Sequence, residues 1–415
     1  MTRSTTVQIN GERLWSELES LAKIGALPGG GVCRLAFSKE DKQGRDYVEQ
    51  RMRDAGLEVR IDPIGNILGV RDGTGPDRRL VLTGSHIDTV GTGGKYDGSL
   101  GVLAGLEVLQ TLNEHQVQTH HAVGVVAFVN EEGVRFMPDM MGSLYVSGQL
   151  GLDEIEPIEG IDGKTIKECL DEVAFSGEDD IPVDFIKSFI ELHIEQGPVL
   201  LDKELDIGIV DRVQGILWEE VVLEGESNHA GVTPMHRRRD AGYVASSIAA
   251  YVRTLTEEIE GLRGTVGALS LFPNLINVIA KEATMTIDLR HAEKDRLIQA
   301  RDLLHQKINA LCEKEKVRPS IKPLADVDPV IFDAQCVESV EKAAEALHYS
   351  SMRMISGAGH DAQIMASKWP ASMIFIPSQD GISHNINEYS TPEHVEAGAN
   401  VLLHAILDKA GMSTL

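Results

Sequence analysis

The amino-acid sequence predicts an α/β protein whose largely parallel sheet is interrupted by an inserted block of four strands and two helices. Apolar strand-like runs alternate with helical patterns between residues 57 and 196, the pattern changes at about Asp211, and the alternation resumes after about Pro329. A chain of 415 residues also exceeds the usual size of a single core, which favours two domains. We therefore expect residues 1–210 and 329–415 to form one domain, and residues 211–328 to form a second.

The first segment predicts a series of short strands and helices. A helix ends near residue 55, and LEVRI (57–61) and ILGVR (67–71), separated by a Pro/Gly/Asn turn, predict a hairpin. RRLVLTGS, HAVGVVAFVN and FIELHIEQ (189–196) predict buried strands, whereas SLGVLAGLEVLQTL and DMMGSLYVSGQL predict helices. This alternation is typical of a parallel sheet covered on both faces, whose ligands gather at the carboxyl ends of the strands.

The inserted segment has a different order of elements. ILWEEVVLEG, ALSLF, TMTIDLRH and VRPSIKPL predict strands, and AEKDRLIQARDLLHQKINALCEKEK predicts the second of two helices. The first helix carries apolar residues on one face, at positions 241, 244, 248, 252, 255 and 259. The resulting order, βαββαβ, is that of a ferredoxin-like unit. After Pro329 we expect a helix near 336–347, a Gly-rich turn at GAGHDA, the strand SMIFIP and a terminal helix after Pro392.

Composition and charge exclude several classes of function. A formal net charge of −25 argues against binding to nucleic acid or to an anionic membrane, because both reward clusters of Lys and Arg. No run of 18 apolar residues predicts a membrane span, and the N-terminal residues lack the apolar segment of a secretory signal, so we expect a cytoplasmic protein. Cys33, Cys169, Cys312 and Cys336 lie far apart, which predicts free thiols rather than disulfides or a thiolate zinc site.

Histidines and carboxylates cluster at the predicted strand ends. His86 and Asp97 follow RRLVLT, the adjacent Glu131 and Glu132 follow VVAFVN, His193 lies in ELHIE, and His384 lies in DGISHN, and one of the two glutamates is counted with the set. Each has a structural explanation when taken alone; His193, for example, could be a core histidine. Together they supply three imidazoles and two carboxylates where a parallel sheet forms a cleft, a set that suits two divalent ions with Asp97 as the bridge.

Two further carboxylates accompany this set. Glu131 and Glu132 are adjacent and must point in different directions, so we expect one to bind metal and the other to hold a proton during a reaction. Asp88, two residues after His86, is expected to fix the tautomer and orientation of that imidazole without binding metal itself.

Several motifs of the sequence, taken together, resemble those of a known family. The series GSHIDTV, KYDG, NEEGVRF, ELHIEQG, NHAGVTPM, NVI followed by DLRH, SGAGHDA and PSQDGISH resembles the amidase branch of the M20 di-metal hydrolases, from about residue 10 to the C-terminus. That branch contains N-carbamoyl-L-amino-acid hydrolase, β-ureidopropionase and allantoate amidohydrolase. The resemblance implies an M20-type catalytic domain that holds two metal ions, usually zinc, manganese, cobalt or nickel, and a lid domain that also forms a homodimer.

Carried over to this sequence, the resemblance assigns individual roles. His86, Asp97 and His193 become ligands of one ion, and Asp97, Glu132 and His384 become ligands of the other. Glu131 becomes the catalytic base, and Gln196 is expected to contact the ureido or amide group of the substrate. The position of His193 holds an acid in the peptidase relatives, so the histidine favours an amidohydrolase.

The resemblance also implies substrate-binding residues outside the metal cluster. It places His229, Asn277 and Arg290 of the lid over the substrate, with His229 arriving from the neighbouring subunit to donate to the carbonyl oxygen, and it adds Gly359 and His360 from the Gly-rich turn. Arg290 offers a planar fork that suits a substrate carboxylate. Two structural alternatives stay open, because Arg290 could pair with Asp288 of its own strand and Asn277 could be a turn residue.

We therefore expect an enzyme that removes the N-carbamoyl group from an N-carbamoyl-L-amino acid or a similar ureido acid and releases ammonia, carbon dioxide and the free amine. Allantoate amidohydrolase and an aminoacylase or peptidase acting on N-acyl amino acids are alternatives with the same metal site. A non-catalytic metal-binding scaffold is a different class, against which the presence of Glu131 argues. The sequence departs from the family at Ile386, where relatives often carry proline two residues past His384, and this bears on the rim of the pocket and on substrate preference.

Overall fold

A computed structural model describes residues 7–179 and 181–412. The chain divides into two compact units, a larger one made of Met1–Asp211 with Ile331–Leu415 and an inserted one, Arg212–Val330. In chain order, the strands of the described residues are β1 (Glu58–Ile61), β2 (Ile67–Arg71), β3 (Leu80–His86), β4 (Ala122–Phe128), β5 (Ile186–Ile194), β6 (Ile207–Val213), β7 (Gly215–Glu224), β8 (Arg263–Phe272), β9 (Glu282–His291), β10 (Arg318–Val327), β11 (Val330–Ile331), β12 (Ser351–Ser356) and β13 (Ala371–Ile376).

The helices follow the same numbering. They are α1 (Gly11–Leu21), α2 (Lys39–Asp54), α3 (Ser99–Glu114), α4 (Met141–Val146), α5 (Leu152–Ile155), α6 (Ile166–Val173), α7 (Val199–Asp202), α8 (Ala241–Glu258), α9 (Lys294–Glu315), α10 (Ala334–Ala346), α11 (Asp361–Met365) and α12 (Pro392–Ala410).

The sheet of the larger unit has a parallel centre and antiparallel flanks. Its strand order is β1-β2-β4-β3-β5-β13-β6-β11, with β12 paired to β6. The central strands β4, β3, β5 and β13 are parallel to one another, whereas β2 and β6 run antiparallel to their central neighbours. The α/β class with a mainly parallel central sheet is therefore confirmed, as is the predicted hairpin of β1 and β2.

Burial explains why the central strands form where they do. All residues of β3 and β4 are buried, as expected for apolar runs that are covered on both faces of a sheet. Helix α3 is buried along most of its length and approaches β3 and β4 closely at Gly105, where a side chain would collide with Thr83 and Val125. The strand ends that carry the candidate ligands are thus held by a dense core.

Two sequence-based expectations for the larger unit were wrong or incomplete. The stretch DMMGSLYVSGQL is helical only over Met141–Val146, because Gly148 follows at a φ of +73° and the chain turns away. Strands β6 and β12 were not predicted. Strand β12 is short and only two of its six residues are buried, so it lacks the apolar run that identifies β3 and β4.

The inserted unit confirms the βαββαβ order. Strands β7 to β10 form an antiparallel sheet in the order β10-β7-β9-β8, and helices α8 and α9 pack with it around a separate apolar core. The six apolar positions predicted for one face of the first helix are all buried. Strand β8 lies at one edge of this sheet, and most of its residues are exposed.

The cysteines of the structure are free, as the sequence predicts. Cys169, Cys312 and Cys336 are buried, whereas Cys33 is only half-buried. Across residues 7–179 and 181–412, no helix combines the length and the apolar character that a membrane crossing requires.

The close approach of α3 to the sheet yields a stability prediction. In a Gly105→Ala variant the new Cβ would lie 2.8 Å from both Thr83 Cγ2 and Val125 Cγ2, so we expect the free energy of unfolding in urea to fall by about 1–3 kcal/mol. Gly91→Ala is the control, because nothing lies within 4 Å of its added Cβ. Equal stability of the two variants would contradict the proposed close packing.

Candidate metal centre

The candidate ligands come from four segments that end at the same edge of the parallel sheet. His86 is the last residue of β3, and His193 is the penultimate residue of β5. Glu132 follows β4, Asp97 lies just before α3, and His384 lies in the loop between β13 and α12. Since β3, β4, β5 and β13 are parallel, their carboxyl ends meet and bring these side chains together.

A first group consists of His86, Asp97 and His193. The Oδ1 atom of Asp97 lies 3.1 Å from His193 Nε2 and 3.6 Å from His86 Nε2. All three residues are buried, and their ligand atoms lie within 4.8 Å of one another.

A second group consists of Asp97, Glu132 and His384. Here His384 Nε2 lies 3.5 Å from Asp97 Oδ2 and 3.4 Å from Glu132 Oε2. The two groups therefore share Asp97, which turns one carboxylate oxygen towards each, as a bridging carboxylate must. His384 differs from the other members because its side chain is 51% exposed.

The orientation of the imidazoles fits the binding of cations. His86 Nδ1 lies 2.9 Å from the Asp88 carbonyl oxygen, and His193 Nδ1 lies 2.9 Å from the Ile194 carbonyl oxygen. A carbonyl only accepts hydrogen bonds, so each Nδ1 carries the proton and each Nε2 presents a lone pair to the cluster. Nitrogen and carboxylate donors in this arrangement suit a divalent ion such as zinc.

A third set of ligand-type side chains is less suited to a metal. Glu191, His193 and His360 are close enough to hold an ion. Both oxygens of Glu191 already accept hydrogen bonds, one from Ser85 Oγ at 2.6 Å and one from the Ala362 N–H at 2.8 Å. We interpret this set as support beneath His193.

Asp88 contacts His86, as expected, but it does so through its backbone carbonyl. That carbonyl fixes the tautomer of His86, whereas the carboxylate Oδ1 is 3.9 Å from His86 Nδ1. The two carboxylate oxygens instead accept hydrogen bonds of 3.2 Å from the N–H groups of Glu131 and Glu132. Asp88 thus orients the turn that sends these two acids in different directions.

Glu131 lies beside the first group without belonging to either group. Its Oε2 is 3.4 Å from His86 Nε2, and its side chain is almost completely buried. Burial raises the pKa of Glu131 well above its usual range, since His86 opposes the shift only in part and Asp361 and Glu132 add to it. A raised pKa means that the ionised carboxylate binds a proton more strongly, which favours its use as a general base.

Gln196 contacts a ligand of the cluster. Its Nε2 donates a hydrogen bond of 2.9 Å to Asp97 Oδ2, whereas the sequence-based expectation was a contact with the substrate. The Oε1 atom is buried, and it accepts no hydrogen bond from the described residues. Gln196 therefore orients Asp97 and leaves one acceptor for a further group.

Two residues that position the cluster were not identified from the sequence. Glu388 is buried, and its Oε1 accepts hydrogen bonds from the N–H groups of Tyr96 (3.0 Å) and Asp97 (3.1 Å). Burial, together with the charge of Asp97, raises the pKa of Glu388 to about 7. Arg34, also buried, donates from Nε to the Ile87 carbonyl and from one terminal nitrogen to Ser99 Oγ, which joins the end of β3 to the start of α3. An acid four residues after His384 was the only sequence signal for Glu388.

The Gly-rich turn places His360 beneath the cluster. His360 is fully buried, its ring packs edge-on against His193 with the centroids 4.5 Å apart, and its Nε2 lies 3.1 Å from Ser356 Oγ. Burial and the neighbouring His193 lower the pKa of His360 well below its usual range. His360 thus packs against a ligand of the first group, and its contact with substrate stays a prediction. Gly359, next to it, faces the side chain of Met140.

The predicted lid residues all lie in the inserted unit. His229 and Asn277 are exposed and lie on adjacent backbone segments, since the Ala230 N–H donates to the Asn277 carbonyl at 2.9 Å and His229 pairs with Val278. Arg290, on β9, forks onto Asp288 of the same strand with three contacts of 2.9–3.0 Å. The pairing with Asp288, one of the alternatives from the sequence, is thus present in the structure.

Known proteins resemble this chain over its whole length. Residues 82–408 match the sequence model of peptidase family M20/M25/M40. An N-carbamoyl-L-amino acid amidohydrolase of Geobacillus stearothermophilus is 39% identical over 96% of this chain and 98% of its own length. An allantoate amidohydrolase of Bacillus subtilis is 35% identical over 93% of this chain and 94% of its own. The crystal structure of an amidase of the hydantoinase/carbamoylase family from Burkholderia multivorans matches with a TM-score of 0.93 and 42% identity, over 97% of this chain and 98% of that one.

The role of Asp88 can be tested by a nearly isosteric change. In an Asp88→Asn variant one of the N–H groups of Glu131 and Glu132 loses its acceptor, so we expect affinity for divalent metal to fall about 10- to 100-fold. Metal content at fixed free Mn²⁺ concentrations measures the change. Asp46→Asn, which alters only an exposed pair with Lys42, is the control, and wild-type affinity in Asp88→Asn would refute the assignment.

Proposed function

The chain belongs to peptidase family M20/M25/M40, and from this membership we propose that it is a metal-dependent amidohydrolase that removes the N-carbamoyl group from an N-carbamoyl-L-amino acid or a similar ureido acid. The similarity to N-carbamoyl-L-amino acid amidohydrolases along the full chain supports this substrate class. The observation that carries the proposal is the pair of ligand groups that share Asp97, with Glu131 beside them.

We propose that the protein holds two divalent ions, of zinc, manganese, cobalt or nickel. His86, Asp97 and His193 would hold one, and Asp97, Glu132 and His384 the other, in keeping with the distances within each group. Bound there, the ions would polarise the substrate carbonyl and make a water molecule easier to deprotonate.

Glu131 would carry the proton through the reaction. It would accept a proton from the attacking water as the oxygen bonds to the ureido carbon, and would then deliver that proton to the leaving nitrogen. One carbon–nitrogen bond breaks, and the carbamic acid that remains decomposes to carbon dioxide and an amine. One water is consumed overall, and ammonia, carbon dioxide and the amino acid are the products.

The inserted unit would supply recognition of the substrate. We propose that His229 donates to the carbonyl oxygen, that Asn277 contacts the same substrate and that Arg290 binds its carboxylate. Gly359 and His360 would contribute to substrate binding from the Gly-rich turn.

We also propose that the unit forms a homodimer, in line with its exposed edge strand β8 and the exposed apolar side chains Met235, Phe272, Leu275 and Ile276. We propose a cytoplasmic enzyme, and the net negative charge argues against nucleic-acid and anionic-membrane partners.

A second candidate function is the hydrolysis of allantoate. It is favoured by the full-length similarity to allantoate amidohydrolases of two bacteria, which share this chain length. The reaction would use the same ligand groups and the same base, because allantoate also joins ureido groups to a carboxylate.

A substrate panel separates these candidates. We expect Mn²⁺-loaded enzyme to hydrolyse N-carbamoyl-L-amino acids with a kcat/KM at least about tenfold above that for allantoate and for N-acetyl-L-amino acids. A tenfold ratio corresponds to a difference of about 1.4 kcal/mol in transition-state binding. Ammonia and free amine are measured in parallel. Preference for allantoate would select the second function, and preference for acyl substrates would refute both.

The assigned base can be tested without disturbing the ligands. A Glu131→Gln variant keeps the shape of the side chain but cannot accept the proton, so we expect kcat to fall about 10²- to 10⁴-fold while metal content is retained. Glu154→Gln, on the exposed surface of α5, is the control. Full activity of Glu131→Gln with both ions bound would exclude Glu131 as the base.

A further inference from the structure

A turn of three glycines packs against the loop that carries His384. Gly29, Gly30 and Gly31 have φ angles of +88°, +111° and +73°, and Ile386 lies within 4 Å of a Cβ built on each of them. Ile386 is two residues past His384. A backbone conformation that glycine adopts readily thus coincides with a close contact between this turn and the loop of His384.

The same turn is bonded to the loop that carries Asp97. Val32 and Gly93 exchange two backbone hydrogen bonds of 2.9 Å, and Gly93 is four residues before Asp97. A Cβ on Gly31 would lie 2.6 Å from the Gly93 carbonyl oxygen and 2.7 Å from Ile386 Cα. Backbone therefore confines Gly31 on both sides, and neither side can yield by a rotation of a side chain.

A second link between these two loops lies at Glu388. Its carboxylate accepts the N–H groups of Tyr96 and Asp97 and lies 2.9 Å from Ser383 Oγ, while its side chain occupies the space next to Gly94. Glu388 joins the loops of Asp97 and His384 at one side. At the other side the glycine turn lies between them, so the space that this turn occupies sets the distance between the two loops. His384 depends on this arrangement most, because its side chain is the most exposed in the second group.

We propose that Gly31 and Ile386 are positioning residues that set the distance between Asp97 and His384, and with it the affinity of the second group for its ion. The inference rests on the proposed two-ion site and adds to it the device that fixes the second ion. A bulkier residue at 31 would push the loops apart, and a smaller one at 386 would let His384 move. His86 and His193, the two ligands that the first group does not share with the second, are held by β3 and β5, so we expect the first group to keep its affinity.

The test is a titration of the full chain, freed of metal, with Mn²⁺ followed by electron paramagnetic resonance. Free Mn²⁺ gives the affinity of each site, and two ions about 3.5–4 Å apart give an exchange-coupled signal. For Gly31→Ala we expect one ion to bind as in wild type, the other to bind about 10- to 100-fold more weakly, and the coupled signal to be lost at wild-type saturating Mn²⁺. Ile386→Ala should show a smaller change in the same direction.

The matched control is Gly148→Ala. Gly148 has the same φ of +73° but nothing lies within 4 Å of its added Cβ, so it reproduces the backbone strain of Gly31→Ala without the collision. Thermal unfolding of the variants monitors folding, and Ile386→Ala, which introduces no strain, tests the inference even if Gly31→Ala unfolds. If Ile386→Ala, or a folded Gly31→Ala, bound both Mn²⁺ ions with wild-type affinity, the inference would be overturned and the proposed function would stand. Failure of the wild-type protein to bind two ions would overturn the proposed function as well.

Discussion

The carboxylate of Asp97 is the point on which the site depends. One of its oxygens faces His86 and His193, and the other faces His384, so a single rotation of this side chain would disrupt both groups. The structure fixes it from several directions. Gln196 donates to Oδ2, and Glu388 accepts the N–H of Asp97 itself. Burial opposes the ionisation of Asp97, but the neighbouring His193 and His86 outweigh it and hold the pKa of Asp97 well below its usual range.

The charges around Asp97 explain why this arrangement requires cations. Glu131, Glu132, Glu191 and Asp361 are close neighbours, and burial raises the pKa of each. Burying several ionised carboxylates without a nearby positive charge costs free energy, and the packing of the domain alone does not offset that cost. Arg34, the nearest buried cation described above, donates to backbone and to Ser99 and so does not neutralise them. Divalent ions held between the carboxylates would supply the missing positive charge, and the acids that do not bind them can then serve as proton carriers.

The features that could be predicted from the sequence are those that depend on periodicity and chain order. The buried runs around Val81 and Val125 identify β3 and β4, and a parallel sheet brings whatever follows such strands to one edge, so His86 and Glu132 could be placed together. The functions of Asp88, Gln196 and Glu388 could not be predicted, because they depend on rotamers and on backbone groups from distant segments. An aspartate beside a histidine suggests a carboxylate–imidazole contact, but the turn at Glu131 presents two N–H groups that bind the same carboxylate better. Similarly, α4 is short because of the left-handed Gly148, which a helical pattern of apolar residues does not reveal.

The two units hold their candidate functional residues in different ways, and the difference fits the tasks that we propose for them. Ligands of a metal must keep their geometry when the ion leaves, and His86, Asp97 and His193 of the larger unit are accordingly buried and held by hydrogen bonds, whereas His384 is half-exposed. A residue that recognises a substrate must exchange water for the ligand, and His229 and Asn277, which we propose contact the substrate, are exposed on loops. Arg290 combines both features. Its fork is held by Asp288, so the guanidinium is oriented before an anion arrives, and in a chain with a net charge of −25 this fixed geometry, rather than long-range attraction, would select the carboxylate that we propose it binds.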